Sequence, residues 1–278
     1  MTDPRSGRAE VAVVTITKDD PAGIEATLAS VGQQDFSAYE HVVVDGGSST
    51  EVAERLAAWR RTGEGRHLLV DDPPPGIYAA MNAGIRGTSA PVVVVLNGGD
   101  TMTPGALRRV SDHHQRHAWR WAMGGVEGRD PDGHRLGEYT FDPYSAPLFR
   151  AGLRTVPHPA AYVTRDLYDE VGLYREDLGN IADQEFFLRV ARVAEPARLP
   201  GILASFQTGG VSSQEGFFGR ELAWHKVRLA SGTAFGGHAA PDLVVTAALL
   251  ARLFPIRVVG KLRKIALRGA RTPVAGRP

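Results

Sequence analysis

"VVVVLNGGD", residues 92–100, sets four valines and a leucine against an asparagine, two glycines and one acid. The apolar run is short and β-branched, so it reads as a strand buried on both faces, as in a parallel sheet. It stops at flexible backbone and a carboxylate. Three earlier stretches have the same character: "VAVVTIT" (11–17), "EHVVVD" (40–45) and "RHLLVD" (66–71). Helical patterns separate them. Asp20 and Pro21 supply an N-cap and an N1 proline ahead of Ile24, Leu28 and Val31. "TEVAERLAAWRR" (50–61) is amphipathic, and "IYAAMNAGIRG" (77–87) puts Tyr78, Met81 and Ile85 on one face. Strands alternating with helices predict an α/β fold with a doubly wound, parallel-rich sheet. Such sheets bind ligands at the carboxyl ends of their strands. Asp45, Asp71 and Asp100 sit at or near such ends. A turn or helix-cap role is the plain alternative for Asp100.

The pattern changes after residue 100. A helix over roughly 104–117 precedes "WRWAMGGVEG", read as a strand, and "RDPDGHRLGEYTF" predicts a hairpin through Pro-Asp-Gly. Residues 164–172 and 180–194 predict two helices, with Thr164 as an N-cap and Gly172 closing the first. "ARLPGILASFQ" returns as a strand. The expected partition is a disordered lead (1–10), a doubly wound half (11–100), a mixed α+β half (101–215) and a helical, basic tail (216–278).

Net charge is +1, so no global field argues for nucleic acid. There are no cysteines, which excludes disulfides, thiolate metal sites and thiol catalysis. The start is polar, without the apolar core of a signal peptide. The longest apolar stretch, 243–254, is twelve residues and carries Arg252, too short to span a bilayer. A cytoplasmic protein is expected. The tail carries Arg252, Arg257, Lys261, Arg263, Lys264, Arg268 and Arg271 and no acid after Asp242. Such a segment suits peripheral contact with an anionic membrane; a solvated helix is the competing reading.

Common nucleotide signatures are missing. No lysine sits in a Walker A pattern and no G-x-G-x-x-G follows a strand. His113 and His117 are spaced as two metal ligands on a helix but bring no third, so a surface helix is the simpler reading.

Four blocks remain, in a particular order: "TITKDD" after strand one, "ATLASVGQQDFSAYEHVVVDGGSS" (26–49), "PGIYAAMNAGIRGTSAPVVVVLNGGD" (75–100) and "VPHPAAYVTRDLYDEVGLYREDLGNIADQEFFLRV" (156–190). Together, over residues 11 to 210, they resemble the inverting family 2 glycosyltransferases of the GT-A fold. The resemblance implies a transferase that moves a sugar from a nucleotide-sugar to a hydroxyl acceptor. Polysaccharide, glycolipid and secondary-metabolite assembly all fit. It implies that Thr15, Thr17 and Asp45 contact the nucleotide, and that Gly76 and Asn82 line the donor site. Strand packing competes for both threonines, and backbone capping for Asn82.

"NGGD" stands in the place of the family's D-x-D-like element. The resemblance makes Asp100 a ligand of Mn²⁺ or Mg²⁺. A hard cation of that kind stabilises the charge that grows on a departing diphosphate. Gly98 and Gly99 stand where many relatives carry a further acid, which implies weak metal affinity without donor, or room for a larger donor group. "ADQEFF" resembles the later acidic motif, which makes Asp183 the base that takes the acceptor's proton. Ala182 departs from the usual acid there. Glu185 is a rival to Asp183, and capping the helix is Asp183's plain alternative. His158, in "PHPA", is a candidate for diphosphate or metal contact or a buried structural histidine. Arg189 reads as a local ion-pair partner. UDP is the expected nucleotide, with dTDP and GDP open, and the tail points to a lipid-linked acceptor.

Two other readings stay open. One is a catalytically silent nucleotide- or carbohydrate-binding module, kept by the departures at Thr50, Ala79, Ala182 and "GGD". The other is a sugar nucleotidyltransferase, disfavoured by the missing glycine- and lysine-rich start.

Overall fold

The structure is a computed structural model and describes residues 8–62, 67–71, 75–130, 132–140, 144–208 and 217–252. The chain divides into two compact units, Met1–Glu215 and Gly216–Pro278.

The first unit alternates strand and helix through its first hundred residues. The elements are β1 (Val11–Thr17), α1 (Pro21–Gly32), β2 (Tyr39–Asp45), α2 (Thr50–Thr62), β3 (His67–Asp71), α3 (Ile77–Arg86) and β4 (Val92–Asn97). Next come β5 (Thr101–Met102), α4 (Ala106–His117), β6 (Trp121–Arg129), β7 (Arg135–Tyr139), α5 (Ala146–Arg150), β8 (Ala161–Thr164), α6 (Arg165–Val171), α7 (Ala182–Val193) and β9 (Ala197–Gln207).

All nine strands belong to one sheet, ordered β3-β2-β1-β4-β8-β6-β9-β5, with β7 paired to β6. β1, β2, β3 and β4 are mutually parallel through β1–β2, β1–β4 and β2–β3. β8 runs against both β4 and β6, and β9 runs with β6. The carboxyl ends of β1, β2, β3, β4, β6 and β9 therefore share one rim. The later strands extend the first sheet instead of building a separate one.

Burial explains the β-branched runs. Every residue of β1 from Val11 to Val14 is fully buried, as are Val42, Val43 and Val44 of β2. Alternate side chains meet different helices. Val43 packs with Ile24 of α1 and with Val52 and Leu56 of α2, whereas Val42 and Val44 pack with Ala80 of α3. Helices thus cover both faces, which is why these strands are apolar throughout. Gly84 lets α3 lie close to the sheet: a Cβ there would stand 2.4 Å from Val14 Cγ1.

Local signals act as expected at several ends. Asp20 Oδ1 accepts the Gly23 N–H at 2.8 Å and caps α1, with Pro21 in the first turn. Gly172 closes α6 at φ 81°. Thr164 occupies the N-cap position of α6, but its hydroxyl donates to Arg120 O at 2.9 Å. β5 and α5 are short elements that periodicity does not reveal.

The second unit contains α8 (Phe217–Ala230) and a further helical stretch over 239–252. A buried ion pair joins them. Arg228 Nε donates to Asp242 Oδ1 at 2.8 Å, and both residues are fully buried. No helix among the described residues is long and apolar enough to cross a membrane. The tail's basic residues beyond Arg252, and residues 1–7 of the lead, lie outside the described residues.

Candidate functional site

The carboxyl rim gathers the polar ends of the strands. β1 ends at Thr17 beside Asp45, the last residue of β2. Loops after the two strands are laced together. Gly46 N–H donates to Thr17 O at 2.9 Å, and Asp19 N–H donates to Ser48 Oγ at 2.9 Å. Asp19 Oδ1 in turn accepts the Ser49 N–H at 2.8 Å. Asp45 Oδ1 accepts the Ser48 N–H at 3.0 Å, a short loop that fixes its carboxylate over the strand end.

Thr15 and Thr17 behave differently. Thr15 is fully buried, and its Oγ1 lies 3.0 Å from His41 Nε2, beneath the rim. Thr17 is at the rim, and its Oγ1 is buried with no partner. Asn97 Oδ1, at the end of β4, is likewise buried and unpartnered. Asn97 pairs with Ile16, so these two polar atoms come from adjacent strands. Buried polar groups without partners are uncommon and mark places where a water, ion or ligand completes the bonding.

The "NGGD" loop follows directly. Gly98 N–H donates to Ile16 O at 2.8 Å. A Cβ at Gly98 would stand 3.2 Å from Thr17 Oγ1 and 3.3 Å from Ile16 O. The missing side chain at Gly98 is thus used by the sheet itself, whereas at Gly99 the nearest atom to an added Cβ is Asp20 Oδ2 at 3.8 Å. Gly99 has φ +95°, a backbone conformation that disfavours an acid or any other L side chain. Thr27 of α1 clamps the loop: its hydroxyl accepts the Gly99 N–H at 3.0 Å and donates to Asp100 O at 2.7 Å.

Asp100 precedes β5 and caps no helix. It is partly buried. Burial pushes its carboxyl up to about 7, against the opposing effect of backbone hydrogen bonds from Asn97 and Gln207. Gln207 ends β9, so the rim closes around this carboxyl from a strand far away in sequence. One carboxylate suits a hard cation whose other ligands are phosphate oxygens and water.

A second group of polar residues also stands on this rim. α3 begins beyond the carboxyl end of β3, through Gly76 at φ 116°. Its Tyr78 hydroxyl donates to Asp183 Oδ1 at 3.2 Å. Asp183 lies in the first turn of α7, and its Oδ2 accepts from Gln184 Nε2 at 2.8 Å. His158 sits just ahead of β8, which runs opposite to its neighbours and so begins at this rim. It is buried, 3.3 Å through Nε2 from the Tyr174 hydroxyl. Burial lowers its imidazole below the ordinary range, while the Asp183 charge opposes this.

Asn82 is buried, and its amide is committed to protein. It donates to Tyr174 O at 2.9 Å and to Glu176 Oε1 at 3.0 Å, and accepts the Tyr174 N–H at 3.0 Å. Glu185 is fully buried and faces Arg189, whose Nε donates to Oε1 at 2.9 Å. Arg189 also donates to the carbonyls of Val171, Gly172 and Leu173. Arg189 is thus a local partner, and Glu185 is occupied by it.

Sequence reasoning missed Thr27, Tyr78 and Gln184. Thr27 could have been found: it is the polar residue between Ile24 and Val31 on the buried face of α1. Tyr78 carried a weaker signal, a phenol on an apolar face, where a buried hydroxyl usually finds a partner.

Other features stand apart. A cavity of about 180 Å³ opens between β6 and β9 near Gly125, Tyr144 and Ile202, and touches none of the rim residues. Asp130, Asp132 and His134 are the one group of three potential ligands among the described residues. They form the exposed β6–β7 turn, where Asp130 Oδ1 accepts the His134 N–H at 2.8 Å. The His113 and His117 rings lie 4.3 Å apart, and His113 Nδ1 accepts from Trp119 Nε1 at 3.0 Å.

Comparison with known proteins bears on the family and the fold. Residues 12–168 match the model of Glycosyl transferase family 2. An uncharacterized glycosyltransferase of Mycobacterium tuberculosis, Rv1514c, is 32% identical over 210 residues, covering 73% of this chain and 77% of the relative. Among solved structures, residues 1–349 of S. aureus TarS in complex with UDP-GlcNAc superpose with a TM-score of 0.65 at 14% identity, over 88% of this chain and 73% of that one. The mannosyltransferase PcManGT of Pyrobaculum calidifontis, in complex with GDP-Man and Mn²⁺, gives 0.56 at 17% identity, over 95% and 82%. The fold is that of the GT-A glycosyltransferases.

Proposed function

The chain belongs to glycosyl transferase family 2, and we propose that it is an inverting enzyme with Asp183 as its base and a divalent cation held at Asp100. The observation that carries this reading is the pair of carboxylates on one rim. Asp100 follows the end of β4, and Asp183 accepts from Tyr78 at the start of α3, the helix that follows β3.

The chemistry then divides between them. Thr17 and Asp45 stand where a nucleotide would meet the strand ends. Thr15 supports this floor from below, and Gly76 and Asn82 shape its far side. Mn²⁺ or Mg²⁺, when bound, would supply charge stabilisation for the leaving diphosphate. Asp183 accepts the proton of an acceptor hydroxyl as that oxygen attacks the anomeric carbon. Attack opposite the leaving group in one step inverts that centre. His158, buried beside Tyr174, is read as a neutral wall of the base's pocket. The ion pair of Glu185 with Arg189 supports the choice of Asp183 over it.

The donor is read as a UDP-sugar, with dTDP and GDP as alternatives. The TarS complexes with UDP and UDP-GlcNAc and the PcManGT complex with GDP-Man support a nucleotide-sugar. A lipid-linked acceptor in cell-envelope assembly, met at the cytoplasmic membrane face through the basic tail, fits the tail's charge. Asp183→Asn tests the base. It should retain donor binding and lose at least about a hundredfold in turnover. Glu185→Gln should keep turnover within about threefold while lowering the melting temperature. Turnover unaffected by Asp183→Asn contradicts the assignment.

A further inference from the structure

Asp183 receives a different donor on each carboxylate oxygen. Tyr78 donates to Oδ1 at 3.2 Å from a helix 105 residues earlier, and Gln184 donates to Oδ2 at 2.8 Å. Gln184 cannot swing away easily. Its Oε1 accepts the Val156 N–H at 2.9 Å, and its Nε2 also reaches Val156 O at 3.3 Å. The amide therefore spends one proton on the backbone and one on Asp183.

Tyr78 is fixed just as firmly. Its ring packs on Tyr174 with centroids 5.7 Å apart. Tyr174 is in turn held by Asn82, one turn further along the helix that carries Tyr78. Burial, and then the charge of Asp183, push the Tyr78 hydroxyl far above its ordinary range, so it keeps its proton and serves as a donor.

We propose that Tyr78 and Gln184 are positioning residues that grip the Asp183 carboxylate from two sides and aim its remaining lone pairs at the acceptor hydroxyl. The proposal rests on Asp183 being the base. An ionised carboxyl oxygen offers two lone pairs, so each keeps one for substrate. Donors to the carboxylate favour its charged form, the form a base needs. The polar groups on the neighbouring segments have partners of their own. His158 and Tyr174 face each other, Glu176 accepts from Asn82, Glu185 pairs with Arg189, and Arg175 pairs with Asp177.

The test needs no known acceptor. The side-chain carboxyl carbons of aspartate are labelled with carbon-13 in the full chain, and the Asp183 signal is identified by its loss in Asp183→Asn. Its chemical shift at one fixed pH is then followed in Tyr78→Phe, Gln184→Met and Tyr168→Phe. Tyr168 is the control: it belongs to the same aromatic cluster, and its hydroxyl bonds Tyr174. The clamp predicts that each of the first two substitutions moves the Asp183 signal, and that Tyr168→Phe leaves it in place. An unmoved signal in both clamp variants overturns the proposal, as does an equal displacement in the control. The base assignment is judged separately. If Asp183→Asn keeps transfer activity while the clamp variants still shift the signal, the grip is real and the base lies elsewhere.

Discussion

Asn82 holds Tyr174 by both sides of its backbone, accepting its N–H at 3.0 Å and donating to its carbonyl at 2.9 Å. The amide is buried, and no other side-chain type supplies both a donor and an acceptor in that shape. Asn82→Ala leaves two buried backbone groups unpaired and should cost about 2–4 kcal/mol. Asn82→Asp should be no better, because a carboxylate cannot donate to the Tyr174 carbonyl and would face Glu176. Urea unfolding of the two variants checks this. A loss under about 0.5 kcal/mol for Asn82→Ala would show that the pairing contributes little.

Gly84 is a packing glycine. Helix propensity alone predicts that Gly84→Ala stabilises α3 by up to about 1 kcal/mol. The added methyl, however, would stand 2.4 Å from Val14 Cγ1 and 3.0 Å from Val44 Cγ2. Overpacking of a closed core costs about 1–3 kcal/mol, so steric conflict should win. Val14→Ala in the Gly84→Ala background should recover part of the loss through coupling between the two positions. Stabilisation by Gly84→Ala would contradict the close approach.

His41 sets an acid limit on stability. Burial holds its imidazole down at about 3 against an ordinary 6.5, and His67 acts in the same direction. Between these values the unfolded chain binds the proton and the folded chain does not, so stability is full above about pH 6.5 and declines as pH falls toward 3. The whole effect is at most about 4–5 kcal/mol. Melting temperatures at about pH 7.5 and about pH 4.5 measure it. His41→Gln should lose markedly less on acidification than the starting protein. Equal losses would place the acid sensitivity elsewhere.

Local chemistry made much of the fold legible. The valine runs of β1, β2 and β4 gave a sheet covered on both faces, and Asp20 with Pro21 marked the start of α1. Asp100 was legible as a rim residue because a strand must end before it. What stayed hidden was long-range pairing. Nothing near Thr101 announces that β5 joins β9, or that Gln207 reaches Asp100. Tyr78 and Asp183 lie 105 residues apart, so only the fold makes them a pair. The same holds for Asn82, whose amide suits a sugar or a backbone equally well until Tyr174 is placed beside it. Gly98 is instructive too: an absent side chain suggested space, but Thr17 and Ile16 already use it.

The central claim is that the rim binds a nucleotide through a cation held at Asp100. Calorimetric titration of UDP, dTDP and GDP, each with and without Mn²⁺, into the starting protein and Asp100→Ala tests it most directly. The account predicts that one nucleotide binds with Mn²⁺, and that either omitting the metal or replacing Asp100 weakens binding at least about tenfold, or about 1.4 kcal/mol. Binding that ignores both metal and Asp100, or no binding of any nucleotide to the folded protein, would contradict it.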